Sequence, residues 1–438
     1  MTDIPVKYNP ISKARDVGKS LAGDLGEKAF VELELAYATR LLPRFTDDPT
    51  IRINQNVLLH WQRGYFKSTI LKVFGQVLPL KTVDITSMTL EKMFGSIDET
   101  KKHIIPPAFT NDTYFVTISE LTALLGQRDA MRQLANTMNL VLEGERVARQ
   151  TLKLGHGQID EKELSTLKTK GVEYIAEIGE LSYVPNVCVF AATRPLDNLT
   201  FTYLNKSGHF SRYHVLQYRI SEREASDYLH KEYKLDQVAL AQLRETNLAL
   251  CNIKVRRVLR PSEELMKPVY DTIEELARDG IQDRKGFTLA DVISPRLKGD
   301  ITRELVAHAF ARTAAENGFT EIEDLQYTQE DVDFVLQRPY HFIEFALNPI
   351  IAEDFSKIPQ IKKLDRLKSA ITIYLSDGAE RNFKEVLSAR AVSSISSCQA
   401  SVYNALVELI EEGKVTRPRH GYYSIVKKEE GVVEGDKK

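Results

Sequence analysis

"HWQRGYFKST", residues 60–69, decides the fold. It follows the apolar end of "IRINQNVLLH" (51–60) and leads into "STILKVFGQVL" (68–78), which has helical spacing. A strand, a tight loop and a helix start in that order suit a phosphate-binding loop, G-x-x-x-x-G-K-[ST]. In such a loop, backbone N–H groups and the helix N-terminus surround phosphates. The lysine reaches the outer phosphates and the hydroxyl meets Mg²⁺. Lys67 and Ser68 stand at those positions, followed by Thr69. The two pattern glycines are Trp61 and Phe66, with Gly64 between them. Phenylalanine at 66 implies a loop confined to conformations that a side chain tolerates. The plainer reading is a lysine and two hydroxyls at the start of an ordinary helix.

Three elements downstream bear on the choice. "YFVTISELTALLG" (114–126) is a strand ending at Ser119-Glu120, where an apolar strand ending Asp-Glu would serve a nucleotide site. Glu120 could orient water, and Ser119 offers the metal's water shell a hydroxyl without charge. "NVCVFAATRPLD" (186–197) is a buried strand running into an X-Pro turn, with Thr193 or Arg194 placed to sense a terminal phosphate. "GHFSRYHVLQYRI" (208–220) sets Arg212 before a strand, as a finger acting on a neighbour's nucleotide would be set. Taken singly, each also reads as a strand-end carboxylate, a turn or a surface ion pair.

Further outward, "NVLLH", "KTVDIT", "YFVTIS", "NVCVFAAT" and "YHVLQYRI" alternate with helical patterns. This predicts an α/β sheet with helices on both faces. The expected domains are an N-terminal helical segment (1–48), an α/β core (49–222), an almost all-helical lid (223–340), a connector (341–360), a winged helix-turn-helix (361–426) and a charged tail (427–438). "VGKS" at 17–20 is a decoy, since no apolar strand precedes it. Net charge is -2, so any nucleic-acid site must be a local patch. Cys188, Cys251 and Cys398 form no C-x-x-C pair, which argues against structural zinc and disulfides. No apolar run reaches spanning length and no signal-peptide pattern opens the chain, so a cytoplasmic protein is expected.

In order and spacing, these elements resemble the AAA+ ATPases, and within them the MCM (minichromosome maintenance) group of replicative helicases. The resemblance rests on "ISELTALLG" (118–126), "LANTMNLVLEGERVARQTLKLG" (134–155), "AATRP" (191–195), "SRYHV" (211–215) and "SPRLKGDITRELVAHA" (294–309), and with the final domain it spans 50–426. It implies an AAA+ core with an all-α lid, ATP and Mg²⁺ as cofactors, DNA as partner and a homo-oligomeric, hexameric ring, with other replication proteins as further partners. It gives Gly64, Lys67, Ser68 and Thr69 to the nucleotide, Ser68 and Ser119 indirectly to Mg²⁺, and catalytic roles to Glu120, Thr193 and Arg212. Arg296 falls at the family's sensor-2 position, with Arg303 one repeat on. The family's N-terminal domain is not expected in the residues before position 50. Phe66 and Ser119 imply weak hydrolysis more than lost binding. Two alternatives stay open: an initiator or loader that uses ATP as a switch, and a DNA-binding protein with a decayed ATPase site.

DNA contacts are expected at two places. The stretch "EGERVARQTLKLG" (143–155) would form a pore hairpin with Arg146, Arg149 and Lys153 toward the backbone, and Lys101 and Lys102 suit a second insertion. In 361–426, three helices precede two short strands around "RPRHG" (417–421), the order of a winged helix. There Ser397, Gln399, Ser401 and Asn404 suit base edges or phosphate, and Arg417, Arg419 and His420 suit the backbone, though winged helices also serve as plain protein-interaction modules. The segment 155–180 has no assigned role.

Overall fold

The computed structural model describes residues 8–86, 88–98, 103–121, 128–151, 160–194, 204, 208–218, 220, 222–282, 288–339, 341–344, 347, 367, 368, 370–372, 374, 375, 379–389, 392, 399–419 and 421–426. The chain divides into two compact units, Met1–Leu347 and Asn348–Lys438.

The first unit opens with α1 (Pro10–Leu41), β1 (Val57–His60), α2 (Lys67–Val77), β2 (Thr82–Asp84), α3 (Leu90–Phe94), β3 (Ser96–Asp98), β4 (His103–Ile105) and β5 (Phe115–Ile118). It continues with α4 (Arg128–Glu143), β6 (Val147–Gln150), α5 (Glu161–Thr169), β7 (Val172–Ile175), β8 (Glu180–Tyr183), β9 (Cys188–Thr193) and β10 (His214–Gln217). Then come α6 (Glu222–His230), α7 (Gln237–Cys251), β11 (Val255–Arg257), α8 (Glu263–Ile281), α9 (Leu289–Val292), α10 (Pro295–Glu316), β12 (Ile322–Asp324) and α11 (Gln329–Leu336).

All five apolar runs singled out in the sequence become strands of one parallel sheet, ordered β10-β1-β9-β5-β2. The α/β expectation therefore holds at this level. β1, β5 and β9 are buried along their whole length, as a parallel sheet covered on both faces requires. One face presents Leu58, Val116, Ile118, Val189 and Ala191 to Met138, Val141 and Leu142 of α4. The other presents Phe115 and Phe190, which stack at 5.5 Å and meet Tyr37 of α1 and Phe74 of α2. The period-2 alternation of strand side chains produces both cores from one sheet.

Three features differ from the sequence reading. α1 is not a preceding segment: it lies on the sheet and packs against α10 and α7. It bends at Ala22 and Gly23 (φ 60°). Gly18 and Gly26 meet backbone to backbone, where a Cβ on either would come within 2.2 Å of the other's carbonyl oxygen. The "VGKS" tetrapeptide thus serves a helix crossing. The lid region is not purely helical, because β11 and β12 pair in parallel, with α8, α9 and α10 between them in the chain. Among the described residues of the expected hairpin (143–151), β6 is instead one strand of a three-stranded antiparallel sheet, β6-β8-β7, and the described part of the unassigned 155–180 segment supplies β7 and the helix α5 before it. β3 and β4 form a separate antiparallel pair. No helix among the described residues is long and apolar enough to cross a membrane.

The second unit contains β13 (Arg381–Asn382), α12 (Phe383–Ser388), α13 (Gln399–Glu411), β14 (Val415–Arg419) and β15 (Tyr422–Ile425). Its strands pair antiparallel in the order β13-β15-β14. Val386, Val402, Leu406, Leu409, Val415 and Tyr423 share its core with Leu367 and Ile371.

Candidate nucleotide site

The loop between β1 and α2 leaves the sheet at the carboxyl end of its second strand. Here the strand order reverses, since β1 pairs with β10 on one side and β9 on the other. Crevices at such points are where open α/β sheets bind ligands. Register fixes the neighbours. His60 lies beside Thr193, and Ile118 pairs with Ala191, so Ser119 and Glu120 emerge at the level of Ala192 and Thr193. Lys67, Ser68, Thr69, Ser119, Glu120 and Thr193 therefore gather at one edge of the sheet.

The loop keeps its shape by means the sequence did not disclose. Phe66 adopts φ 55° and ψ -4°, the left-handed region that glycine favours. The expectation that its side chain would exclude such a conformation is overturned. Its ring packs outward against Tyr228 (5.6 Å) and Tyr233 (6.2 Å), and Tyr228 also meets Tyr65 (5.5 Å). Tyr228 in turn donates to the Ala22 carbonyl at the bend of α1 (3.1 Å). Trp61, the other glycine replacement, is buried, and its indole Nε1 donates to the Tyr65 carbonyl across the loop (2.7 Å). Gly64 has φ 91° and open space where a Cβ would project.

Lys67 points back into the loop. Its Nζ donates to the carbonyls of Trp61 (2.8 Å) and Gln62 (2.7 Å). Burial pulls its ammonium down to about 8, against an opposing attraction from Glu120. His60 sits beside it, pushed down to about 4 by burial and then by the Lys67 charge. No side chain caps α2, so its N-terminal dipole faces the loop with Glu120 as the carboxylate acting on Lys67. An anion of several oxygens fits this donor set. Ser68 Oγ donates to the Ser119 carbonyl (3.3 Å), and Ser119 Oγ to Asp84 Oδ2 (3.5 Å). Thr193 is fully buried and its hydroxyl donates to the Arg194 carbonyl (3.1 Å).

Arg212 and Arg296 lie elsewhere. Both bind Glu143 Oε1, at 2.9 and 2.8 Å, and Arg296 also donates to Ser211 Oγ (3.0 Å). Asn56 ties this group to the amino end of β1, donating to the carbonyls of Leu142 and Arg212. The four residues of β1 span about 13 Å at a strand's rise per residue, so the arginine pair and Lys67 occupy opposite edges of the sheet. Arg303 is paired with Asp300 and donates to the Arg52 carbonyl.

The expected DNA contacts divide. Arg146 binds Ser182 Oγ (2.9 Å) and Glu180 (3.3 Å). Arg149 donates to the carbonyls of Gly95 (2.8 Å) and Leu90 (3.3 Å), which anchors α3 to β6 rather than projecting from a tip. Lys153, Lys101, Lys102, Ser397 and His420 lie outside the described residues. In the second unit, Gln399 and Asn404 are exposed on α13, while Ser401 is half-buried. Arg417 and Arg419 are exposed on β14, over the rings of Tyr423 and Tyr422, and Arg419 pairs with Glu380 (3.2 Å).

Sequence reasoning missed one buried charge cluster. Glu32 of α1, His214 of β10 and Glu304 of α10 bring potential metal-ligand atoms within 4.8 Å of one another. Arg338 reaches both carboxylates at 2.7 Å and His341 reaches Glu32 at 3.3 Å. The guanidinium already supplies the positive charge, which makes this an ion-pair clasp. Its members come from α1, β10, α10 and the stretch after α11, all distant in sequence, so no local pattern reveals it.

No protein-family model matches the chain, and a comparison with curated proteins finds no match.

Proposed function

We propose that this chain is a nucleotide-dependent protein of the AAA+ type that acts on DNA, in the manner of an MCM-like ring helicase or translocase. The observation that supports it most is the register of three parallel strands, which gathers Lys67, Ser68, Glu120 and Thr193 at one sheet edge. ATP would be held by the loop amides of 64–69, with Lys67 exchanging two carbonyl partners for phosphate oxygens. Mg²⁺, when bound, supplies charge neutralisation at the phosphates. Ser68 and Ser119 are the hydroxyls positioned for its coordination and water shell. Glu120 orients water, and preorganised positive charge supplies most of the stabilisation.

Arg212 and Arg296 sit on the far edge, so they serve a nucleotide held by another copy. Such a division calls for head-to-tail association, which closes into a ring when the rotation permits. The second unit is read as a winged helix, with Gln399, Ser401 and Asn404 facing base edges and Arg417 and Arg419 the backbone.

A second reading, an initiator or loader that uses ATP as a switch, draws on a specific pair of observations. Residue 119 lacks a carboxylate, and the Thr193 hydroxyl is engaged by Arg194. Both weaken turnover more than binding. ATP turnover with and without single-stranded DNA, in wild type and Lys67→Ala, separates the two. DNA-stimulated turnover with strand displacement, lost in Lys67→Ala, supports the helicase. Slow turnover indifferent to DNA supports the switch. No turnover above background in any condition rules out the helicase.

A further inference from the structure

Position 119 closes β5 where a carboxylate would hold the water shell of a nucleotide-bound cation, and serine leaves that place without charge. The adjacent strand compensates. β2 pairs with β5 in parallel, and its last residue, Asp84, lies opposite Thr117. Asp84 Oδ1 accepts from the Thr86 amide (2.8 Å), and Thr86 Oγ1 accepts from the Ser119 amide (2.7 Å). These two bonds fix the carboxylate beside residue 119. Its Oδ2 then accepts from Ser119 Oγ at 3.5 Å, while the Ser119 carbonyl accepts from Ser68 Oγ at 3.3 Å. Asp84, Ser119 and Ser68 thus form a continuous row leading to the N-terminus of α2. Asp84 is exposed, so its carboxylate stays hydrated, and no ion pair among the described residues involves it.

We propose that Asp84 supplies the carboxylate that position 119 lacks and receives the water shell of the divalent cation accompanying a nucleotide at Lys67 and Ser68. The inference rests on the nucleotide reading of this loop and adds a residue to it. A row through a hydroxyl suits an outer-shell role, since a carboxylate one strand away reaches the metal's waters rather than the metal. It also explains why serine is tolerated at 119. An aspartate there would set two carboxylates side by side, a like-charge contact that disfavours ionisation of both.

The test is calorimetric binding of a non-hydrolysable ATP analogue, in EDTA and in Mg²⁺. Wild type, Asp84→Asn, and Asp84→Asn combined with Ser119→Asp are compared. Asparagine keeps the acceptor for the Thr86 amide, so the local turn is preserved. Wild type is expected to bind more tightly in Mg²⁺. Asp84→Asn should match wild type in EDTA and lose roughly 10–100-fold of metal-dependent affinity, the usual effect of removing an outer-shell partner. Ser119→Asp should restore the gain in that background. An undiminished magnesium gain in Asp84→Asn overturns the role of Asp84 and leaves the nucleotide reading standing, as does an equal loss in EDTA. Absence of binding by wild type in both conditions overturns the two together.

Discussion

Phe66 holds a left-handed backbone conformation that costs an L-residue about 1–2 kcal/mol, and it does so at the place where a phosphate loop needs the turn. The cost is offset by the aromatic contacts with Tyr228 and Tyr233. Removing the ring while keeping the backbone conformation isolates that compensation. Phe66→Ala should lower the unfolding free energy by about 2 kcal/mol, since it loses half-buried packing and retains the strain. Phe66→Gly should recover about 1 kcal/mol of that loss, because glycine adopts positive φ freely. Denaturant unfolding of both variants checks the order; equal losses would show that the strain is not felt. Lys67 and Ser68 were legible in the sequence because their spacing carries the motif. Phe66 misled, because the rings that brace it lie more than 150 residues away. Trp61 was opaque for a different reason, since an indole closing the loop through a single hydrogen bond leaves no periodic trace.

At the scale of elements, strands read better than their neighbours. Each sheet strand is a short apolar run bounded by turn residues, and such runs are recognisable singly. Pairing is not local, so the contribution of Asp84 beside Ser119 and the β11–β12 pair could not be read from either strand alone. The same holds for the clasp that joins α1, β10 and α10. Burial disfavours the charged form of His214, but Glu32 and Glu304 outweigh it and lift the imidazole to about 9. Burial would likewise raise Glu32, yet Arg338 and His214 hold it well below the ordinary carboxylate range. The signs give two windows. A histidine raised in the folded state contributes stability that is full below pH 6.5 and lost as pH rises toward 9. A carboxylate depressed in the folded state contributes stability that is lost on acidification below about pH 4.5. The His214 contribution to the unfolding free energy should therefore decline between pH 6.5 and 9. His214→Gln should be less stable by roughly 3–5 kcal/mol at neutral pH, since it strands a buried carboxylate, and should show a flatter profile over that window. Denaturant melts at a series of pH values measure both; an unchanged slope would remove His214 from the clasp's titration.

For the whole molecule, the two halves of the proposed catalytic machinery stand on opposite edges of one sheet. A single copy would hold a nucleotide without completing its site. Mixing tests this directly. Lys67→Ala subunits keep Arg212, and Arg212→Ala subunits keep Lys67, so some interfaces in a mixed assembly are complete. Turnover in the mixture should exceed that of either variant alone, and a mixture no more active than its parts would argue against a shared site. Fold class was legible from the alternation of strands and helices. The partition into edges was not, because it depends on where Glu143 brings Arg212 and Arg296 together. All of this presupposes that the loop after β1 holds a nucleotide. Equilibrium titration with a fluorescent ATP analogue is the most direct measurement of that claim. Saturable binding by the wild-type chain, displaced by unlabelled ATP and abolished in Lys67→Ala, is the expected result. No saturable binding by wild type, or equal binding by Lys67→Ala, would contradict it.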